Sequence, residues 1–248
     1  MTRRAPKSGI FDYVPPLEEK TTAIVAGALG AAADSGDGTG LEALVDAVTG
    51  FMEGLASDVA RRQPPPRPIA CKKGCAFCCF GTEVHASPPE VFRVAAHLDR
   101  RPDGKKKTAL ITRIADVAAA KAADRAKMTA PAVFPCPLLE AGRCSVYAAR
   151  PLVCRGFNSY DAGTCERRKI GGERVTIEGY AHQDAIAQAT LRGVQRGCAE
   201  VGRAGVAVDL APALHIALTE PDARRRWMAG EDVFRSARAR LRHETVAG

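Results

Sequence analysis

Nine cysteines punctuate this 248-residue chain, and eight of them fall between positions 71 and 165. The first four form Cys71-Lys72-Lys73-Gly74-Cys75-Ala76-Phe77-Cys78-Cys79, a C-x3-C-x2-C-C word. Cys136, Cys144, Cys154 and Cys165 follow, separated by gaps of 7, 9 and 10 residues. Thiolates are soft ligands that suit zinc and iron-sulfur clusters. One or two cysteines are often simple core residues, but eight at this density are not. The constellation therefore holds a metal or a metal cluster.

The spacing constrains how. On a helix, Cys71, Cys75 and Cys78 would share an arc of ~60°. In a loop the same spacing lets the chain curl around one metal, and Gly74 favours the loop because it tolerates left-handed geometry. Side chains of adjacent residues diverge, so Cys79 belongs to a different ligand set from Cys78 or supports it from outside. The later gaps are too irregular for one zinc knuckle and need loops that return to one place. A metal supplies free energy that holds such loops. Arg143, Arg150 and Arg155 crowd these cysteines and are expected to depress thiolate pKa values and donate hydrogen bonds. Cys198 stands alone on a helical stretch and reads as a core residue. His85 reads as a strand residue that lies near the first cluster, and His97 as a late-helix residue near the carboxyl-terminal dipole. No Ser-His-Asp or paired-carboxylate pattern stands out, so no catalytic residue is assigned.

The words CKKGCAFCC, Glu90 behind a polar helix start, CPLLEAGRC and SVYAARPLVCR followed by Gly156-Phe157 resemble the YkgJ-type cysteine-cluster family. That family is described as a zinc- or iron-chelating domain. Its usual opening is close to C-x2-C-x2-C-C, and this chain has three residues in the first gap. The resemblance implies Cys71, Cys75, Cys78, Cys79, Cys136, Cys144 and Cys154 as metal ligands, and Cys165 joins them by proximity.

Eight cysteines suffice for two four-thiolate zinc sites, or for one iron-sulfur cubane plus a zinc. Iron-sulfur is slightly favoured over zinc, because irregular gaps suit a bulky cluster. The first word, with Phe77 in its aromatic place, also resembles the radical S-adenosylmethionine signature. Gly171-Gly172-Glu173 is similar to that superfamily's glycine-rich word but lies too far downstream. A methylase-like transferase is a related alternative. A third is a zinc-stabilised module that contacts nucleic acid or an unknown protein partner.

The elements that must position these cysteines are mostly helices. Hydrophobic content is 46%, much of it alanine, with only 5% aromatics, which predicts a mainly α fold with helices around a loop-rich, metal-stapled cysteine core. The chain divides into four parts. Residues 1–40 form a flexible N-terminal segment that includes a short apolar helix from about Thr21 to Ala33. Residues 41–66 are a helix with one apolar face and a proline-rich linker. Residues 67–175 are the cysteine-cluster metal-binding domain, in which Ser87-Pro88-Pro89-Glu90 has the form of a helix start. Residues 107–128 add a second helix there. Residues 176–248 are a helical C-terminal region, with helices over about 182–202 and 208–241 broken near Pro221 and Gly230.

Net charge is +8 and is uneven: residues 1–70 carry −2 and residues 71–248 carry +10. A basic face suits nucleic acid, but it also compensates thiolates, and no aromatic-basic interleaving supports the former. No run approaches the ~18 apolar residues of a membrane span, and no good secretory signal precedes the cysteines. A cytoplasmic location, where clustered cysteines mean metal more often than disulfide, is the expectation.

Overall fold

The structure is a computed structural model and describes residues 11–33, 40–81, 83–102, 104–126 and 134–239. It is mainly helical, as composition predicts. In chain order the elements are α1 (Val14–Ala33), α2 (Leu41–Arg62), a 3-10 turn (Phe77–Phe80), β1 (His85–Ala86), α3 (Pro88–Asp99) and α4 (Lys105–Ala126). Then come the hairpin β2 (Leu139–Glu140) and β3 (Arg143–Cys144), a 3-10 turn (Tyr147–Ala149), α5 (Leu152–Gly156), α6 (Ala162–Lys169) and α7 (Ala181–Glu200). β4 (Val208–Asp209), α8 (Leu210–Thr219), α9 (Ala223–Met228) and a last 3-10 turn (Arg235–Ala237) complete it. β1 pairs antiparallel with β4, with His85 opposite Asp209.

The centre of the fold is α7, which packs along α1 and also against α2 and α5. Two glycines one turn apart permit the α1 contact. An added Cβ at Gly193 would lie 2.5 Å from Thr21 Cβ, and one at Gly197 would lie 2.6 Å from Val25 Cβ. Leu17, Val25 and Leu29 of α1 are buried there, and Thr22 donates to the Gly193 carbonyl at 3.3 Å. For Val14–Ala33 a docked helix replaces the flexible segment expected there. The apolar run is not a short local helix but one of twenty residues that covers α7. The Ser35–Thr39 stretch, the end expected at 127–128 and the end expected at 240–241 lie outside the described residues.

One core runs across all four expected parts of the chain. At its far end Phe92 of α3 meets Trp227 and Phe234 at ring distances of 5.8 and 5.1 Å. The helix start at Ser87 forms as its sequence predicts, with Pro88 in the first turn and the Glu90 carboxylate returning to the Ser87 amide at 2.8 Å and hydroxyl at 2.6 Å. The C-terminal block breaks where Pro221 and Gly230 are found: α8 stops at Thr219, and Gly230 adopts a φ of 98°.

Candidate metal centre

The first cysteine word is a loop. Cys75 N–H closes a turn on the Lys72 carbonyl at 2.9 Å, and Gly74 has a φ of 97°. That left-handed geometry is the reason a glycine stands between the first two cysteines. The 3-10 turn then carries Cys78 and Cys79, whose thiols hydrogen-bond to each other, which corrects the expectation that these adjacent side chains diverge. Cys136 N–H donates to the Cys79 carbonyl at 2.7 Å, which joins the second cysteine segment directly to the first. The β2–β3 hairpin turns through Ala141 and Gly142, both at positive φ, as two-residue hairpins require. It brings Cys144 back opposite Leu139, three residues after Cys136.

Cys154 sits in the short α5. Its amino-terminal amide, Leu152 N–H, donates to Glu90 Oε1 at 2.7 Å, and the Glu90 side chain is buried. Arg155 fixes the same turn from the other side through the carbonyls of Arg150 and Ala148, at 2.9 and 2.7 Å. Cys165 is buried on α6, which is capped by Asp161 and packs against the 3-10 turn of Cys78 and Cys79.

The eight cysteines line two adjoining chambers. The larger, a cavity of about 470 Å³, is faced by Cys75, Cys78, Cys79, Cys136, Cys144 and Cys154. The smaller, about 280 Å³, is faced by Cys71, Cys75, Cys78, Cys154 and Cys165. Tyr147, Arg150 and Phe157 form the shared wall. All nine cysteines are free thiols. Among the described residues, no three His, Cys, Asp or Glu side chains already converge as a bound metal ion requires. Metal capture in these chambers needs the thiols to turn inward, in keeping with the general coupling of metal binding to folding.

Burial dominates the thiol chemistry. It pushes Cys136 up to about 11 and raises Cys71, Cys144 and Cys154, with neighbouring thiols adding to each rise. Cys78 is the exception: the Cys79 thiol donates to it, and this lowers Cys78 to about 7 against the opposing effect of burial. Lys169 and Arg150 contribute to the lowering, and the same hydrogen bond raises Cys79. The expected depression of thiolate pKa by arginines is therefore corrected to a single cysteine, since burial outweighs distant charge elsewhere. Backbone amides favour thiolates at four positions: Ser159 N–H at Cys71, the residue's own N–H at Cys78, Leu138 N–H at Cys136 and Val146 N–H at Cys144.

These features fit a soft metal. The donor set is sulfur, four backbone amides point at sulfurs, and the buried Nε of Arg150 has no hydrogen-bond partner in the shared wall. A cation left unpaired there is compensated by metal-bound thiolates, which carry net negative charge.

Sequence reasoning missed three contributors. Tyr147 stacks under Arg150 with the guanidinium carbon 4.2 Å from the ring centre. Glu90 was legible only as a helix cap, not as the anchor of the Cys154 turn. A stripe of α7 walls the larger chamber, although nothing in its sequence marks it as part of a cysteine site. Cys198 is buried in α7, away from both chambers, as its isolation implies, and burial raises its pKa to about 12. His97 is held below the ordinary imidazole value by burial and by Arg93, Arg100 and Arg101, so the helix dipole does not keep it charged.

Residues 70–176 match the family model CxxCxxCC, whose description is "Putative zinc- or iron-chelating domain". No curated protein and no solved structure matches the chain significantly. The matched segment begins one residue before Cys71 and includes all eight clustered cysteines. Among the described residues no helix is long and apolar enough to cross a membrane. With its cysteines gathered around two chambers, this chain carries a metal-binding cysteine region, and residues 70–176 match the CxxCxxCC model of zinc- or iron-chelating domains.

Proposed function

We propose that the eight clustered cysteines form two four-thiolate centres. Cys79, Cys136, Cys144 and Cys154 hold one, in the larger chamber. Cys71, Cys75, Cys78 and Cys165 hold the other, in the smaller. The observation that carries this reading is how the thiols sort by chamber. Cys79, Cys136 and Cys144 face only the larger chamber and Cys71 and Cys165 only the smaller, while Cys75, Cys78 and Cys154 face both. Cys78 lies between the two sets, which suits a shared wall. The larger chamber has room for an iron-sulfur cluster, and its irregularly spaced ligands favour that over a compact zinc turn. The smaller set suits tetrahedral zinc equally well. A large chamber beside the first centre favours a redox or transferase role over a purely structural one, because a structural site is closed.

The test is metal and acid-labile sulfide content of anaerobically purified protein. Cys136→Ser with Cys144→Ser is expected to remove the first centre and spare the second. Cys71→Ser with Cys165→Ser is expected to do the reverse, and Cys198→Ser to leave both intact. Loss of both centres from either double variant, with helicity unchanged by circular dichroism, would sink the grouping. Unchanged metal content in both variants would sink the site itself.

A further inference from the structure

The two chambers meet at one cation. Arg150 faces both cavities, with Tyr147 and Phe157 beside it. Its guanidinium is stacked on the Tyr147 ring, 4.2 Å from the centre, and its Nε is buried without a hydrogen-bond partner. Among the described residues no carboxylate pairs with it. The backbone beneath it is fixed, because the Arg150 carbonyl accepts Arg155 Nε at 2.9 Å. A guanidinium carries five N–H donors in a rigid fork, and a buried donor left unmade is costly.

The other charges around the chambers are accounted for. Arg192 pairs with Glu18 at 2.9 Å and Arg155 with Glu53 at 2.5 Å. The Glu83 carboxylate lies 3.7 Å from His85 Nε2, and Asp184 is exposed to solvent. Among the described residues no Asp or Glu faces the smaller chamber. The thiols do not use the fork either. Arg150 acts on Cys78 and Cys144 through its charge, with no hydrogen bond from the guanidinium to either sulfur. Its field can therefore compensate metal-bound thiolates while its donors stay open to a second group.

The fork says which group. A planar guanidinium matches a planar carboxylate through two parallel hydrogen bonds. The larger chamber, about 470 Å³, is walled by apolar side chains that include Val153, Leu191 and Leu210. That volume falls within the range of small-molecule sites, roughly 300–1,000 Å³. An apolar wall suits a singly charged acid with an aliphatic body better than a doubly charged phosphate, which costs more to desolvate.

We propose that Arg150 binds the carboxylate of a small organic acid where the chambers meet, with the acid's apolar body in the larger one along Val153 and Leu191. This names a ligand class for the proposed centre in that chamber, and rests on the metal-centre reading only for the ligand's purpose, not for its binding.

The experiment is calorimetric titration of the anaerobically purified, metal-loaded protein with hexanoate, n-hexanol and n-hexylamine at neutral pH, with metal content and helicity measured on the same samples. Saturable binding of hexanoate is expected, with the alcohol and the amine not binding over the same range. Arg150→Lys keeps the charge and loses the fork, and is expected to weaken hexanoate about tenfold with metal content unchanged. Tyr147→Leu removes the ring under the guanidinium and is expected to weaken it as well, and this variant decides should Arg150→Lys lose metal. Arg192→Gln is expected to bind as wild type does. Equal binding of hexanol, equal losses in Arg150→Lys and Arg192→Gln, or wild-type affinity in Arg150→Lys overturns the proposal. Absence of hexanoate binding by metal-loaded protein overturns it and leaves the metal centres standing. Arg150-dependent binding by protein that takes up no metal supports the site while removing the metal reading.

Discussion

The Glu90 carboxylate accepts the backbone amide of Leu152 at 2.7 Å, and so a residue that starts α3 also caps the turn that carries Cys154. Its other oxygen takes the Ser87 amide and hydroxyl. Burial raises its pKa, and these donors with the nearby Arg155 oppose the rise. Glu90→Ala would leave buried donors without an acceptor, each at a cost of about 1–3 kcal/mol. A loss of roughly 2–5 kcal/mol in denaturant unfolding is expected, together with weaker retention of metal under chelator challenge. Glu90→Gln keeps an acceptor for Leu152 but places a donor against Ser87, and is expected to be intermediate. Wild-type stability in the alanine variant would contradict this role.

The α1–α7 contact makes a second, independent claim. Gly193→Ala and Gly197→Ala each put a methyl group inside the van der Waals distance of Thr21 or Val25 and of an α1 carbonyl, at 2.7 Å in both cases. Overpacking of this kind costs about 1–3 kcal/mol. Both variants are expected to lower the thermal midpoint. Gly27→Ala on α1 meets nothing within 4 Å and is expected to leave stability equal or slightly higher.

Asp209 docks α4 on the second half of the molecule. It is buried at 2% exposure and receives Lys121 Nζ at 2.7 Å and Arg125 at 3.4 Å. Asp209→Asn keeps the shape and removes the charge, leaving two cations facing each other. A destabilisation of about 3 kcal/mol is expected. Replacing Lys121 with Met in the same background should recover part of it, and an unfolding series over the four proteins measures the recovery.

His182 links stability to pH. Its Nδ1 meets the Tyr13 hydroxyl at 2.6 Å within a group of aromatic rings, and burial holds its pKa below the ordinary 6.5. The unfolded chain therefore binds the proton first, so stability is present above about pH 6.5 and is lost as pH falls through the lower folded value. His97 acts in the same direction. Urea midpoints between pH 8 and pH 5 are expected to fall for the wild type and to fall less for His182→Gln. A steeper fall in the variant would reverse the sign and refute the assignment.

Much of this was legible in the chain. The apolar stripe from Leu41 to Leu55 gave α2, and Ser87 to Glu90 gave the start of α3, because caps and periodicity are local signals. The cysteine spacing marked the metal region, since few other arrangements place sulfur so densely. α1 was under-read. Its contact depends on glycines 170 residues away, and no local pattern announces that partner.

By itself, then, the sequence determined the helical class, the match of residues 70–176 to a cysteine-cluster model and the chemistry of the donor atoms, because these depend on residue types and short-range spacing. Only the tertiary structure decided that the cysteines face two chambers rather than one. It alone showed that burial, not arginine, governs most of their thiols, and that α7 supplies a wall to the larger chamber. Those outcomes depend on which loops return to the same place and which faces exclude water, and they are set by packing between segments far apart in the chain.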